Sequence, residues 1–287
     1  MRVQPRAHDV LAVRGLCRLD RGCQPDIPQE VDLTVERNRG EIFMDLWELW
    51  NNCKQSCRLV DLTHPLSPDT PHWDGFPAME MKPIYTHEKD GFLAYNHLIA
   101  GQFGTHVDAP CHFNEGRQTL DYFTPDDMIM PLIVIDMTQQ AAENPDYALT
   151  IKDVKKWEAE HGIIPEGAFA ALRTDWFKKG TSEAMDNRDA EGNKHYPGWH
   201  VDTVKWLVEN RNIGAIGHET SDTDSAVYAA TVGYDAETYI LSQNRFQIEL
   251  LKNLDLVPET GALIFCTFPK LVGGAGFPSR CFVMCSK

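Results

Sequence analysis

The stretch that decides the fold and the site is Gln102–Phe113, which reads QFGTHVDAPCHF. Two imidazoles and a carboxylate fall within seven residues of it, and glycine and proline fix the path of the chain between them. In an extended segment side chains alternate between faces, so Gln102, His106 and Asp108 share one face if the extension continues across the intervening glycine. Imidazole nitrogen and carboxylate oxygen are the usual ligands of zinc, manganese and iron. The spacing therefore predicts a divalent metal site.

The second histidine of the stretch has a different predicted role. Pro110 is expected to turn the chain, which brings His112 close to the metal without requiring it to bind. The pKa of a histidine lies near neutrality, so His112 is well suited to act as general base or acid. For an arbitrary H-x-D pair, two unrelated surface histidines would be the better interpretation. The complete string favours a catalytic site.

The composition excludes several classes of protein. The chain has 287 residues, 43% of them hydrophobic and 24% charged, which is typical of a globular fold long enough to bury a sizeable core. The formal net charge of −15 argues against nucleic acid as a partner, because an acidic surface repels phosphates. No apolar run approaches the length of a membrane span, and no secretory leader is apparent. We therefore expect a soluble cytoplasmic protein whose partner is a small-molecule substrate, not a membrane.

The cysteines offer an alternative metal site that we do not favour. The chain has eight cysteines, and two pairs, Cys53 with Cys57 and Cys281 with Cys285, could suggest a zinc ribbon. The spacing departs from C-x2-C, and no histidine follows at the distance found in zinc fingers. Free thiols in a reducing compartment are the better interpretation.

The chain divides into a short extension and one domain. Residues 1–43 are rich in arginine and lack apolar periodicity, so we interpret them as an N-terminal extension that is poorly ordered or not native. The alternative start is Met44, which opens an amphipathic stretch predicted to form a short helix. Residues 44–287 are predicted to form a single α/β domain.

Periodicity and turn signals predict the main elements of this domain. Predicted strands lie at 58–63, 92–102, 131–137, 168–174, 213–217, 246–250 and 262–268, the last of these being taken as the final strand. Predicted helices lie at 151–160, with Thr150 as the cap, and at 202–210 and 235–243. The polar residues 178–196 are predicted to form a loop or flap.

Gln102–Phe113 resembles the H-x-G-T-H-x-D-x-P-x-H signature of the cyclase-like metal hydrolases, the family that includes bacterial kynurenine formamidase and isatin hydrolase. The resemblance continues at Leu62–Leu66 with Trp73, at 216–224, at Gln247–Leu254 and at Leu271–Arg280. It covers roughly residues 58–284. It implies a swivelling β/β/α-type single domain with a mixed sheet, and a homodimer or homotetramer.

Two positions depart from the family pattern. Gln102 occupies the place of the family's first metal histidine, and Glu237 that of another ligand histidine in the formamidases. Both changes replace nitrogen with oxygen, which shifts the expected preference from zinc towards manganese. Either residue could instead lie outside the metal shell, Gln102 as a hydrogen-bonding neighbour and Glu237 as an exposed helix carboxylate.

Further site residues are predicted around these ligands. Glu249 is expected to bind the metal, the alternative being a buried structural acid in an ion pair. Trp73, Phe103 and Phe113 are expected to form an aromatic substrate pocket, although core packing explains them equally well. His218 follows a predicted strand and is placed in the pocket, with a substitute ligand role as the alternative. His97 and His200 are assigned no role.

The resemblance implies hydrolysis of a C–N amide bond with the help of bound Mn or Zn. The substrate would be an aryl formamide such as N-formylkynurenine or a cyclic amide such as isatin. His112 would take a proton from water and deliver it to the leaving nitrogen. Two alternatives remain open, namely a hydrolase of the same fold for another carbonyl substrate and a silent metal- or ligand-binding protein. A serine hydrolase is disfavoured, because the chain has no G-x-S-x-G motif.

Overall fold

The computed structural model describes residues 45–287. The helices in this range are α1 (Leu46–Ser56), α2 (His87–Asp90), α3 (Thr138–Glu143), α4 (Ile151–His161), α5 (Ser182–Asp186), α6 (Val201–Arg211), α7 (Ala226–Thr231) and α8 (Asp235–Ser242). The strands are β1 (Cys57–Asp61), β2 (Glu80–Tyr85), β3 (Ala94–Leu98), β4 (His106–Asp108), β5 (Ile129–Asp136), β6 (Ala148–Leu149), β7 (Phe169–Arg173), β8 (Gly198–Trp199), β9 (Ala215–His218), β10 (Gln247–Glu249), β11 (Ala262–Thr267), β12 (Gly276–Pro278) and β13 (Arg280–Ser286).

Nine strands form one mixed sheet in the order β1-β13-β11-β5-β7-β9-β10-β4-β12. The four central strands β5, β7, β9 and β10 run parallel to one another, because helices connect them along the chain. The strands on either side pair antiparallel, with β11 against β5 at one side and β4 against β10 at the other. The sheet is therefore a parallel centre flanked on both sides by antiparallel strands.

Alternation along the central strands divides the core into two clusters. Ile133 and Ile135 of β5 pack with α4, α6 and α8 on one face of the sheet. Leu132 and Val134 point to the other face and join the cluster around Phe246. Strands buried on both faces read as continuous apolar runs, which is why β5 and β7 were predictable from sequence.

Helix α4 shows how the sequence sets a boundary. Thr150 and Asp153 form a capping box, with the Asp153 carboxylate accepting from the Thr150 backbone N–H at 2.9 Å. Val154 and Trp157 are the buried residues of the helix, and Gly162 ends it at φ 95°. The predicted cap and stop are both confirmed.

Three parts of the chain differ from the predictions. The predicted last strand, β11, is followed by β13, which lies between β1 and β11 in the sheet, so the interpretation of β11 as final was wrong. The predicted strand 92–102 is β3 alone, because its residues pair only with β2 in a separate two-stranded hairpin. The 178–196 loop contains the short helix α5.

The predicted extension 1–43 lies outside the described residues. Within residues 45–287 no helix is long and apolar enough to cross a membrane.

Candidate metal centre

The register of two adjacent strands assembles the centre. In the antiparallel pair of β4 and β10, Glu249 lies opposite His106 and Gln247 lies opposite Asp108. Directly opposed residues share a face of the sheet, so these four side chains converge on one side. The intervening Val107 points to the opposite face and is fully buried in the core. Alternation thus sends polar groups to the site and apolar groups to the core.

Three of the predicted ligands lie within reach of one ion. His106 Nε2 is 3.4 Å from Asp108 Oδ2 and 3.5 Å from Glu249 Oε2. One ligand atom from each of these residues lies within 4.8 Å of the others, and all three residues are buried. His106 Nδ1 contacts the carbonyl oxygen of Gly104 at 2.8 Å. A proton on Nδ1 satisfies that contact and leaves the Nε2 lone pair facing the carboxylates.

The charge balance of the centre calls for a cation. Asp108, Glu237 and Glu249 are 1%, 3% and 4% exposed. Burial, together with repulsion from neighbouring carboxylates, raises the pKa of Glu237 and of Glu249 well above the ordinary value. Asp108 Oδ1 is buried without a hydrogen-bond partner. Buried carboxylates need a compensating positive charge, and a mixed nitrogen and oxygen donor set suits a divalent metal. The residues therefore fit the expected metal.

Gln247 connects the three carboxyl groups and was not predicted from the sequence. Its Nε2 donates to Asp108 Oδ2 at 3.1 Å, to Glu237 Oε1 at 2.9 Å and to Glu249 Oε1 at 3.1 Å. Its Oε1 accepts from Thr223 at 2.7 Å. The signal that could have revealed it is its position two residues before Glu249 on a predicted strand, which places both on one face.

His112 lies beside the carboxylate cluster but is more accessible. It belongs to a 3-10 turn, Pro110–His112, which begins with the predicted proline. Its Nε2 is 3.8 Å from Asp108 Oδ1, and its side chain is 27% exposed. Burial lowers the pKa of His112, against the opposing effect of Asp108. His112 is therefore kept largely neutral at pH 7, as a proton acceptor at the wall of the cavity must be.

Gln102 reaches the same cavity by a route that the sequence did not predict. Gly104 has φ 64°, in the left-handed region, so the chain is not extended across it and the alternation argument fails at that point. Gln102 instead lies against Gly276 of β12. A Cβ at position 276 would lie 2.3 Å from Gln102 Nε2 and 2.7 Å from the Val107 carbonyl oxygen, and because the backbone oxygen cannot easily move, glycine is favoured here. Gln102 lines the cavity together with His106 and Glu249.

Glu237 is buried and faces the centre, unlike the exposed carboxylate of the alternative interpretation. It lies in the first turn of α8. The Asp224 carboxylate accepts from the backbone N–H of Ala236 at 3.0 Å and from that of Glu237 at 3.2 Å. Asp224 therefore caps α8 and fixes the turn that carries Glu237.

Aromatic side chains form the open part of the cavity, whose volume is about 290 Å³. Trp73 and Phe113 line it, as predicted, and so do Phe76 and Tyr234, which were not predicted. The full lining is Trp73, Phe76, Gln102, His106, His112, Phe113, Ser221, Asp222, Tyr234, Glu237 and Glu249. Among these described residues there is no lysine or arginine. The cavity combines an apolar aromatic rim with an acidic floor.

Two predicted pocket residues are located elsewhere. Phe103 is fully buried and stacks on His72 with a centroid distance of 4.3 Å, so it belongs to the packing behind the cavity and not to its lining. His218 is 1% exposed and contacts Glu249 Oε1 at 3.3 Å, so it supports that carboxylate from behind. Neither residue is among those that line the cavity. His200 acts as the N-cap of α6, where its Nδ1 accepts from the Asp202 N–H.

Glu219 is a fully buried acid that lies just behind the centre, directly after β9. Its Oε2 accepts from the backbone N–H groups of Thr174 and Trp176 at 2.9 and 3.1 Å. Its Oε1 is buried without a partner. Burial raises the pKa of Glu219 to about 8. This residue fixes the loop after β7 and does not line the cavity.

Comparison with known proteins agrees with this geometry. A family model described as putative cyclase matches residues 60–225. An isatin hydrolase from Roseibium aggregatum is 32% identical over 243 residues, which cover 80% of this chain and 92% of that protein. The solved structure of isatin hydrolase A from Labrenzia aggregata, bound to benzyl benzoate, has a TM-score of 0.77 at 32% identity and covers 84% of this chain and 98% of its own.

A second solved structure, an isatin hydrolase bound to the product analogue thioisatinate, has a TM-score of 0.77 at 30% identity. It covers 85% of this chain and 100% of its own. The mixed α/β fold predicted from the sequence is thereby confirmed.

Proposed function

This chain belongs to the cyclase family, and we propose that it is a metal-dependent hydrolase that opens a cyclic amide such as isatin. The observation that carries the proposal is the buried cluster of His106, Asp108 and Glu249 beneath an aromatic cavity. The likeness to isatin hydrolases over most of the chain supports the choice of reaction.

The metal would be held by His106, Asp108 and Glu249, and Glu237 and Gln102, which line the same cavity, are proposed as further ligands. A divalent cation in this position supplies a Lewis acid for the substrate carbonyl and makes water more acidic. The oxygen-rich donor set favours manganese over zinc. Metal analysis of the purified protein tests this choice, and a zinc content without manganese would contradict it.

His112 is proposed to carry the proton. Its Nε2 lies 3.8 Å from Asp108 Oδ1, and burial lowers the pKa of the imidazole, which favours the neutral ring. It takes a proton from the water that attacks the amide carbonyl carbon. As the C–N bond breaks, the nitrogen takes that proton from the imidazolium, and the carbonyl carbon becomes a carboxylic acid, which releases its remaining proton to solvent and leaves as a carboxylate. His112 thus returns to its neutral form and is ready for a second turnover.

The charge of the cavity favours a cyclic amide over N-formylkynurenine. The latter is an amino acid whose α-carboxylate, beside its α-ammonium, would enter a cavity with no lysine or arginine among the described lining residues to pair with it. An unpaired carboxylate in such surroundings is strongly disfavoured. A flat neutral ring system gains instead from contact with Trp73, Phe76 and Phe113.

Turnover of isatin by metal-stripped and by manganese- or zinc-loaded protein tests the proposal. We expect activity only with metal, and at least tenfold higher kcat/KM for isatin than for N-formylkynurenine. His112→Ala should lower kcat by about 10²–10⁴-fold. His97→Ala is the matched control, because His97 lies on the separate β2–β3 hairpin and is exposed. Isatin hydrolysis by His112→Ala at the wild-type rate would refute the proton-transfer role.

The β2–β3 hairpin supports a proposed homodimer or homotetramer. It pairs only with itself as a two-stranded sheet, and it exposes the large apolar side chains Met81, Ile84, Tyr85, Phe92, Leu93, Tyr95 and Leu98. Contiguous exposed apolar surface commonly marks an interface. Light scattering after size exclusion measures the subunit number, and a monomer at micromolar concentration would contradict the proposal.

A cytoplasmic location is proposed with the free thiols as support. Cysteines 53, 57, 111, 266, 281 and 285, which are those in the described part of the chain, are all unpaired. Free thiols are typical of reducing compartments. Fractionation of the producing cells tests this location.

A further inference from the structure

The loop that carries Trp73 and Phe76 forms one wall of the cavity, and residues outside the cavity hold it in place. The two rings meet edge to face at a centroid distance of 5.0 Å, and the Phe76 N–H donates to the Trp73 carbonyl oxygen at 3.1 Å. Trp73 lies over Gly75, where a Cβ would meet the indole at 1.7 Å. Asp74 lies between these two residues in the chain, and its side chain is 44% exposed and is not among the lining residues of the cavity.

Two cations from one distant segment bind Asp74. Lys194 Nζ lies 2.7 Å from Asp74 Oδ1, and Arg188 Nη2 donates to Asp74 Oδ2. Both cations also reach Asp186, each at 3.0 Å. Asp186 and Lys194 have side chains only 9% and 17% exposed, so this four-charge network is partly shielded from water. Shielded networks hold their geometry better than single exposed ion pairs.

The same segment also contacts a second part of the cavity lining. The Tyr196 hydroxyl donates to the carboxylate of Asp222, which lines the cavity. Tyr196 is 3% exposed, and its carbonyl oxygen accepts from the Ala226 N–H at 3.0 Å. At the other end of the segment, the Ser182 hydroxyl accepts from the His72 N–H at 3.1 Å. Residues 182–196 therefore bridge the Trp73 loop and the Asp222 loop.

We propose that residues 182–196 act as a clasp that sets the width of the cavity. Arg188 and Lys194 are positioning residues that act on Trp73 and Phe76 through Asp74. They touch no reacting atom and govern how tightly the flat substrate is held. This inference rests on the proposed function for its kinetic readout, whereas the contacts that carry it do not depend on that function.

The test compares Lys194→Met with Lys178→Met in the metal-loaded full-length protein, with isatin as substrate. Lys178 is a suitable control because its Nζ pairs with Asp175 and Asp255 and not with Asp74. Loss of the Lys194 ion pairs with Asp74 and Asp186 should raise KM about fivefold in Lys194→Met, with kcat within about twofold of wild type. Lys194→Arg should restore KM. Asp74→Asn combined with Lys194→Met should raise KM by less than the product of the two single effects, because the two changes share the Lys194–Asp74 contact.

Hydrogen exchange at residues 72–79 provides a readout that needs no activity. The His72 and Phe76 amides should exchange faster in Lys194→Met than in Lys178→Met. If wild type failed to hydrolyse isatin, the proposed function would be wrong, and exchange alone would decide the clasp. If exchange at 72–79 were the same in both variants, the clasp would be refuted whatever the activity. Equal KM values in two active variants would refute it as well.

Discussion

Glu219→Gln should replace a pH-dependent cost in the free energy of unfolding with a cost that is the same at every pH. Burial raises the pKa of Glu219 from 4.5 to about 8. When folding raises the pKa of a carboxyl, the group costs no stability at a pH well below its unfolded pKa. The cost then grows with pH until the pH passes the folded pKa. These two values give a cost of about 1 kcal/mol at pH 5 and about 5 kcal/mol at pH 9. Glutamine cannot ionise and therefore avoids the increase of about 4 kcal/mol.

The substitution preserves the contacts that Glu219 makes. The amide oxygen can accept from the N–H groups of Thr174 and Trp176 as Oε2 does now. The amide nitrogen then takes the place of the unpartnered Oε1, which costs about 1–3 kcal/mol at every pH. At pH 5 the variant should thus be slightly less stable than wild type, and at pH 9 more stable.

Urea unfolding at pH 5, 7 and 9, with the metal content held constant, measures the difference between variant and wild type. Subtracting the two free energies of unfolding cancels the contribution of every group that titrates alike in both proteins. Glu160→Gln serves as the control, because Glu160 is exposed on α4. A difference for Glu219→Gln that changes by less than about 1 kcal/mol between pH 5 and pH 9 would refute the assignment of a buried, protonated acid.

Three further predictions concern the centre and one helix. Gln247→Leu removes the donor shared by three carboxyl groups and should weaken metal binding about 10–100-fold, as measured by competition with a chelator; unchanged affinity would contradict its bridging role. Chelation of the metal should lower the Tm and added manganese should restore it, because the ion binds the folded state alone; a Tm indifferent to chelator would argue against an ion at His106 and Asp108. Thr150→Ala should cost about 1 kcal/mol in urea unfolding through loss of the α4 capping box, and an unchanged midpoint would show that the cap contributes nothing.

Local patterns explain which elements could be predicted from the sequence. The apolar runs of β5 and β7 and the cap of α4 are encoded within a few residues of sequence. The predicted bounds of these strands and of this helix therefore lie within two residues of those in the structure. The hairpin strand β2 was missed because its side chains are all exposed and it contains Pro83, so it has neither alternation nor burial. β13 was missed because the preceding glycine-rich stretch suggested a family motif and no further strand.

The candidate site shows the same division between local and distant information. His106, Asp108 and His112 are neighbours in sequence, and their proximity follows from the string itself. Gln247 joins them only through pairing of β10 with β4, and no local pattern gives that register. Phe103 was misassigned because an aromatic residue beside a ligand motif can face the core as readily as the cavity.

The pairing of β4 with β10 makes metal uptake a measure of completed folding. Asp108 and Gln247 are 139 positions apart in the chain, and a slip of one residue would turn Glu249 into the core and Ile248 towards the ion. Neither strand alone can assemble the full donor set. Chains in which β10 is unpaired, or is paired in the wrong register, should therefore bind little metal. The ratio of bound metal to protein would then report the fraction of chains with correct strand pairing, independently of any catalytic assay.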